Sequence, residues 1–140
     1  FEYRVIRLAK KIDAGVDFIQ TQCIYNMDRF KEWMKMARDE GLTEKVYIMA
    51  GVTPLKSAGM AKYMATKVAG MDIPEPVLKR IAGVSKDNAS KEGIAMCVET
   101  IAELREIEGV HGVHIMAIEW EEKVAEIVKA SGLLPRPEQS

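Results

Sequence analysis

A glutamine at the end of an apolar segment is the side chain of this sequence best suited to binding a ligand. Gln22 closes segment 17–22, which follows a helical pattern and Gly15. A primary amide offers a hydrogen-bond donor and an acceptor without a charge. The carboxyl ends of strands in α/β proteins are where loops and ligands meet. We therefore expect function around Gln22; the alternative is a buried glutamine that hydrogen-bonds to its neighbours.

Four basic residues gather on the segment that precedes this strand. Arg4, Arg7 and Lys11 are three and four residues apart, so a helix would place them on one face. Lys10 lies one step around the helix from Lys11. This face could pair with an anion, and the alternative is a solvated basic face on an outer helix.

The cysteines and histidines indicate no catalysis or metal binding. Cys23 follows Gln22 with no adjacent base, so a buried thiol is expected rather than a nucleophile. Cys23 and Cys97 form no metal- or redox-spaced pair. His111 and His114 are too close on an extended segment to share one face, so we expect no metal site.

The composition is that of a soluble globular protein. Of 140 residues, 48% are hydrophobic and 29% charged, and the formal net charge is -1. No bulk attraction to nucleic acid or a membrane is therefore expected, and no apolar run approaches the roughly 20 residues of a membrane-spanning helix. We expect a cytoplasmic protein with reduced thiols. Because Phe1 is not preceded by Met or by a leader, we also expect that the chain starts inside a longer protein.

Apolar spacing and turn residues divide the chain into alternating helices and strands. Val5, Leu8 and Ile12 recur at helical spacing, and polar caps or prolines precede later helices. The predicted helices are 3–14, one from Asn26 or Asp28 to Gly41, 57–67, 77–81, one from Asn88 or Ser90 to Ile107, and 121–130; the predicted strands are 17–22, 46–50 and 112–118.

This alternation predicts an α/β fold with parallel strands and right-handed crossovers. Three β/α units preceded by a helix correspond to the carboxyl-terminal portion of a (β/α)8 TIM barrel, which usually takes roughly 200 to 250 residues. We therefore expect residues 1–140 to be one partial barrel domain that ends in a tail at 133–140. A small open α/β sheet is the alternative.

Four segments, in order along the chain, match the pattern of a known family. They are residues 10–22, with Lys-x-Asp-Ala-Gly-x-Asp-Phe-x-x-Thr-Gln from Lys11, then residues 50–54, 93–96 and 112–114. Together they resemble the carboxyl-terminal part of methylenetetrahydrofolate reductase, and the resemblance extends over nearly the whole chain.

The resemblance implies a barrel that passes a hydride from NADH or NADPH to FAD and then to 5,10-methylenetetrahydrofolate, giving 5-methyltetrahydrofolate. This chain would supply about strands six to eight. The family's general acid lies in the amino-terminal part, so no catalytic residue is expected here. The implied partners are a folate or related pterin, with a homo-oligomer or an electron-donor subunit left open.

The resemblance also implies roles for individual residues. Gln22 matches the glutamine that contacts the pterin and, in its turn, the nicotinamide. Lys11 matches a lysine that holds the FAD phosphates, Lys10 stands where an arginine is common, and Arg7 replaces an asparagine of some relatives.

Two implied substrate contacts depart from the family pattern. Met60 stands where relatives place a substrate-binding glutamine, and Trp120 stands near an arginine that meets the folate tail. Trp120 could stack on a flat ligand or pack its helix. Two alternatives to the reductase remain: a non-catalytic barrel fragment or subunit, and another barrel that handles pterins or methyl groups.

Overall fold

The computed structural model describes residues 2–138, which form a three-stranded parallel sheet and six α-helices. The sheet order is β1-β2-β3, and the helices connect and flank the strands. The elements are α1 (Glu2–Asp13), β1 (Phe18–Cys23), α2 (Met27–Asp39), β2 (Tyr47–Val52), α3 (Ala58–Lys67), α4 (Glu75–Ala82), α5 (Lys86–Arg105), β3 (Gly112–Ile115) and α6 (Val124–Ala130), with short 3-10 turns at Leu42–Glu44 and Glu121–Lys123. The predicted α/β class with parallel strands is confirmed.

Local chemistry explains where the helices begin and end. The side chain of Asn26 accepts a hydrogen bond from the Arg29 amide at the start of α2. Ser57 does the same for the Met60 amide at the start of α3. Both satisfy an amide that the first helical turn would otherwise leave unpaired. After α1 the chain turns at Gly15, whose φ of +94° is one that glycine adopts readily.

The two faces of the sheet differ in burial. Ile48 and Ala50 of β2 are fully buried against the helices, where they join a core that includes Met34 and Ile101. The opposite face carries the paired residues Phe18 and Tyr47, which are 56% and 64% exposed. One face of the sheet is therefore a packed core and the other is open in this chain.

A β-bulge interrupts the end of β1. Gln20 pairs with Met49 and Cys23 pairs with Gly51, so β1 has one more residue than β2 over this step. The amide of Gly51 donates to the Thr21 hydroxyl at 2.9 Å. A Cβ at Gly51 would lie 2.5 Å from the Thr21 carbonyl oxygen, so only glycine fits there.

A second, smaller core lies under α3, α4 and the start of α5. Its buried residues include Leu55, Met64 and Ile81. Arg80 of α4 pairs with Glu92 and forms two hydrogen bonds with Glu99 of α5 at 2.6 and 2.9 Å. These contacts hold α4 against α5 beside the connection from β2 to α3.

Several predicted boundaries differ from the structure. β3 ends at Ile115 rather than at residue 118, because β2 ends at Val52 and gives the later residues no strand to pair with. Helix α5 begins at Lys86, after Ser85, rather than at Asn88 or Ser90. The last helix begins at Val124, and its predicted first turn is the 3-10 turn.

The predicted carboxyl-terminal tail is irregular where the structure describes it. Residues 133–138 form no helix or strand. The predicted tail extends to residue 140, and residues 139 and 140 lie outside the described part of the chain, as does Phe1.

Candidate functional site

A cleft of about 420 Å³ opens between α1, β1 and α2. It lies at the end of β1 that carries Gln22, and segment 68–73, between α3 and α4, forms part of its border through Gly70 and Asp72. Gln22 lines this cleft, as expected for a polar residue at a strand's carboxyl end. We define this space as the β1 cleft.

One wall of the β1 cleft is cationic. Arg4, Arg7 and Lys11 of α1 line it together, which agrees with their predicted place on one helix face. Arg29 of α2 adds a fourth positive charge, and among the lining residues that the structure describes Asp72 is the one carboxylate. This wall suits an anionic group such as a phosphate, because guanidinium and ammonium groups form charge-assisted hydrogen bonds with it.

The structure separates Lys10 from its three basic neighbours. Lys10 is exposed and is not among the residues that line the β1 cleft. On an α-helix each residue is rotated by about 100° from the one before, so Lys10 lies on the solvent side of the face that Lys11 occupies. It can reach an anion in the cleft only from the rim.

The amide of Gln22 is attached to segment 68–73. Its Nε2 donates to the carbonyl oxygen of Ala69 at 3.2 Å. Its Oε1 lies beside Gly70, and a Cβ built on that glycine would be only 3.2 Å from the oxygen. Gln22 is exposed rather than buried, so it both bonds to a neighbour and faces the cleft.

Asp72 ties the same segment to the start of α2. Its Oδ2 accepts hydrogen bonds from Arg29 Nη1 at 2.8 Å and from Asn26 Nδ2 at 2.9 Å. The bond from Arg29 holds the pKa of the Asp72 carboxyl below its usual value, and the bond from Asn26 and the charge of Arg4 act in the same direction. Asp72 is therefore a charged anchor at neutral pH.

Sequence reasoning missed several residues of this cleft. Phe30 and Trp33 of α2 line the cleft with rings whose centroids are 5.9 Å apart and which are stacked on each other. No local sequence pattern indicates that Gly70 and Asp72 belong to the cleft, because they lie more than 40 residues along the chain from Gln22 and Arg29. Only the fold brings these segments together.

The two other predicted substrate contacts lie apart from this cleft. Met60 is partly buried and packs against the second core. Trp120 is only 5% exposed, and the Lys56 ammonium lies 5.7 Å from the centre of its ring. Neither residue lines the β1 cleft.

Burial favours the protonated form of the two thiols behind the end of the sheet. Burial raises the pKa of the Cys97 thiol to about 12 and also raises the pKa of Cys23. The sulfur of Cys23 lies 2.8 Å from the Thr53 hydroxyl, and the Tyr25 hydroxyl donates to the Thr53 carbonyl. A thiol that keeps its proton is a poor nucleophile, so the arrangement fits the predicted inert role.

Other groups considered from the sequence also have structural partners. His111 Nδ1 accepts a hydrogen bond from the Ile48 amide at 3.1 Å. Within residues 2–138, no cluster of three or more His, Cys, Asp or Glu side chains could hold a metal ion.

None of the helices within residues 2–138 is both long and apolar enough to cross a bilayer.

Comparison with known proteins gives one consistent result. The sequence profile described as "Methylenetetrahydrofolate reductase" matches residues 1–132. The chain is 32% identical over 135 residues to "Methylenetetrahydrofolate reductase 2" of Schizosaccharomyces pombe. The aligned region covers 92% of this chain and 21% of that protein. It is 27% identical over 128 residues to "Probable methylenetetrahydrofolate reductase (NADPH)" of Caenorhabditis elegans, covering 90% of this chain and 19% of the relative. It is 29% identical over 131 residues to "Methylenetetrahydrofolate reductase 2" of Saccharomyces cerevisiae, covering 91% of this chain and 21% of the relative.

These matches extend over nearly all of this chain but only part of each relative. The chain spans about a fifth of the length of these curated relatives. The profile match over residues 1–132 includes α1, all three strands and the residues that line the β1 cleft. The chain belongs to the methylenetetrahydrofolate reductase family.

Proposed function

We propose that this chain is the carboxyl-terminal part of a flavin-dependent (β/α)8 barrel that reduces 5,10-methylenetetrahydrofolate to 5-methyltetrahydrofolate. In this proposal β1, β2 and β3 are about strands six to eight. The open sheet face around Phe18 and Tyr47 supports the assignment, since in a closed barrel that face would pack inside. The resemblance to relatives named for this reaction supports the activity.

The observation that carries the proposal is the meeting of Gln22 with Arg7 and Lys11 in one cleft. A dinucleotide needs cations for its phosphates, and the ligands that visit its ring need a polar group to orient them. The β1 cleft offers both within about 420 Å³. The alternative, a basic helix face that only contacts solvent, would not require a polar residue such as Gln22 beside it.

The residues present fit the phosphate part of FAD. Lys11 and Arg7, with Arg4 beside them, would hold the pyrophosphate, while Lys10 would assist from the rim. The stacked pair Phe30 and Trp33 supplies an apolar side to the same cleft. When bound, the flavin supplies the capacity to accept a hydride from the nicotinamide and pass it on to the substrate.

Gln22 would orient first the nicotinamide and then the pterin. Its amide is neutral, so it adds no charge that would favour one direction of hydride movement. The electron donor would be NADH or NADPH, and the Caenorhabditis elegans relative is named for NADPH. Met60 and Trp120 remain proposed contacts of the substrate's far end, although the burial of Trp120 leaves it little surface to offer.

The test is the visible spectrum of the full-length protein before and after anaerobic addition of 5-methyltetrahydrofolate. A yellow protein that bleaches would support the reductase. A colourless protein that cannot be reconstituted with FAD would contradict it and favour a non-catalytic barrel. Reduction of the flavin by NADH or NADPH identifies the donor.

A matched pair of variants tests the residue assignment. Lys11→Ala should weaken FAD binding by about tenfold, because an ion pair with phosphate is lost. Lys35→Ala is the control, since Lys35 lies on α2 and pairs with Asp39 at 2.7 Å. Equal FAD affinity in the two variants would remove Lys11 from the cofactor site.

A further inference from the structure

The Gln22 amide is held in one of its two orientations by another part of the chain. An amide can flip, so that donor and acceptor exchange places. Here the carbonyl of Ala69 can only accept, and at 3.2 Å it selects the orientation with Nε2 toward it. Within residues 2–138 no donor reaches Oε1, so this oxygen is left to accept a hydrogen bond from a ligand.

Gly70 gives the segment the shape that this contact requires. Its φ is +76°, which a residue with a side chain adopts only with strain. A Cβ there would also press on Gln22 Oε1 at 3.2 Å. The missing side chain therefore both permits the turn and leaves the acceptor oxygen open.

Asp72 holds the other end of the segment. It receives hydrogen bonds from Asn26 and Arg29, both at the start of α2. The Asn26 amide is itself fixed, because its carbonyl oxygen accepts from the Arg29 backbone amide at 3.2 Å while its NH₂ group faces Asp72. The segment is thus attached at Ala69 to the end of β1 and at Asp72 to the next helix.

We propose that residues 68–73 form a strap that orients Gln22, with Asp72 as the positioning residue that holds the strap in place. The inference rests on the proposed function. It deepens that function by assigning Gln22 Oε1 the role of acceptor for an N–H group on the ligand. A pterin ring and a nicotinamide carboxamide both carry such N–H groups, which explains how one glutamine serves two ligands in turn.

The test is a double-mutant cycle in the full-length protein with flavin bound. Asp72→Asn keeps the shape of the side chain and removes its charge, and we expect the KM for methylenetetrahydrofolate to rise about twofold, because an exposed ion pair can bias the position of the strap only that far. The flavin content should not fall, since the variant leaves the cationic wall of the cleft in place. In a Gln22→Ala background the same change should have almost no further effect, because Asp72 acts through Gln22. A merely structural role would cost the same in both backgrounds, and that result would overturn the proposal.

Two further variants sharpen the result. Gly70→Ala should raise the same KM, since it displaces the amide without touching Asp72. Glu75→Gln is the matched control, because Glu75 lies just after the strap and pairs only weakly with Lys79 at 3.9 Å. A control that raises KM as much as Asp72→Asn would count against the strap.

Hydrogen exchange separates failure of the strap from failure of the proposed function. A full-length protein that holds no flavin and reduces no folate overturns the function, and the strap is then decided by backbone exchange at residues 68–73. Asp72→Asn and Gln22→Ala should each raise the exchange rate there. Unchanged rates in both variants would overturn the strap whatever the activity.

Discussion

At the scale of single residues, the basic side chains of α1 and α2 around the β1 cleft differ in whether they pair with a carboxylate. Arg4, Arg7 and Lys11 face the cleft without a carboxylate in an ion pair with any of them among residues 2–138. Arg29, by contrast, forms an ion pair with Asp72 at 2.8 Å. The wall on α1 is thus the side of the cleft that can receive an external anion, and the side on α2 holds the strap.

The lowered pKa of Asp72 predicts how the strap responds to pH. At a pH above 3.8, the ordinary pKa of the carboxyl group, the Asp72 carboxylate stabilises the folded state. This contribution is lost as the pH falls through the pKa of the folded state, which is lower still. Because the pair is exposed, its contribution is roughly 0.5 kcal/mol. The melting temperature of wild type should therefore exceed that of Asp72→Asn at pH 6, and the difference should shrink as the pH falls below about 4. A difference that stays constant down to pH 3.5 would show that the charge of Asp72 is not what matters.

At the scale of elements, α5 packs closely against the connection that follows β2 because one residue of α5 lacks a side chain. A Cβ at Gly93 would lie only 1.6 Å from the Leu55 carbonyl oxygen. That oxygen belongs to the connection between β2 and α3, so Gly93 sets how closely α5 approaches the end of β2. The residue therefore fixes the position of a loop next to the proposed substrate side of the sheet.

Two helical glycines give a matched test of this packing. Gly93→Ala should destabilise the full-length protein by about 3 kcal/mol or more, since a backbone atom must move. Gly59→Ala, in α3, meets nothing closer than the Ser57 hydroxyl at 3.8 Å and should be neutral or stabilise by roughly 0.5 kcal/mol. Chemical denaturation followed by circular dichroism measures both. Similar midpoints for the two variants would refute the close contact.

At the scale of the whole molecule, the chain buries one face of its sheet and leaves the other open. Phe18 and Tyr47 are large and exposed side by side on the open face. Within residues 2–138, β1 also pairs on one side only, so its other edge carries unpaired backbone groups. Such a surface favours association with further strands.

The exposed face predicts how the 140-residue chain behaves when expressed alone. It should bind a hydrophobic dye and self-associate, because exposed apolar side chains and a free strand edge both promote contact between chains. Replacing Phe18 and Tyr47 by Ser should reduce both effects. Light scattering and dye fluorescence measure them, with the full-length protein as the control. A monomeric isolated chain that binds no dye would contradict the prediction.

Much of the fold could be predicted from the sequence because its signals are local. Ser57 and Asn26, the latter one of two predicted starts of its helix, do cap α3 and α2, since a cap acts on an amide three residues away. The end of β3 was predicted wrongly because it depends on where β2 stops, at Val52. A strand exists only as long as its neighbour does, and no window of sequence contains that neighbour.

The candidate site divides in the same way. The amino-acid sequence by itself determined the parallel α/β class, the family, the shared face of Arg7 and Lys11, and the place of Gln22 at a strand end, because helical period, strand end and motif are all short-range properties. Only the tertiary structure decided that Lys10 lies outside the cleft and that Ala69, Gly70 and Asp72 reach Gln22 and Arg29. Those contacts join segments more than 40 residues apart, and their geometry arises only once the helices pack on the sheet.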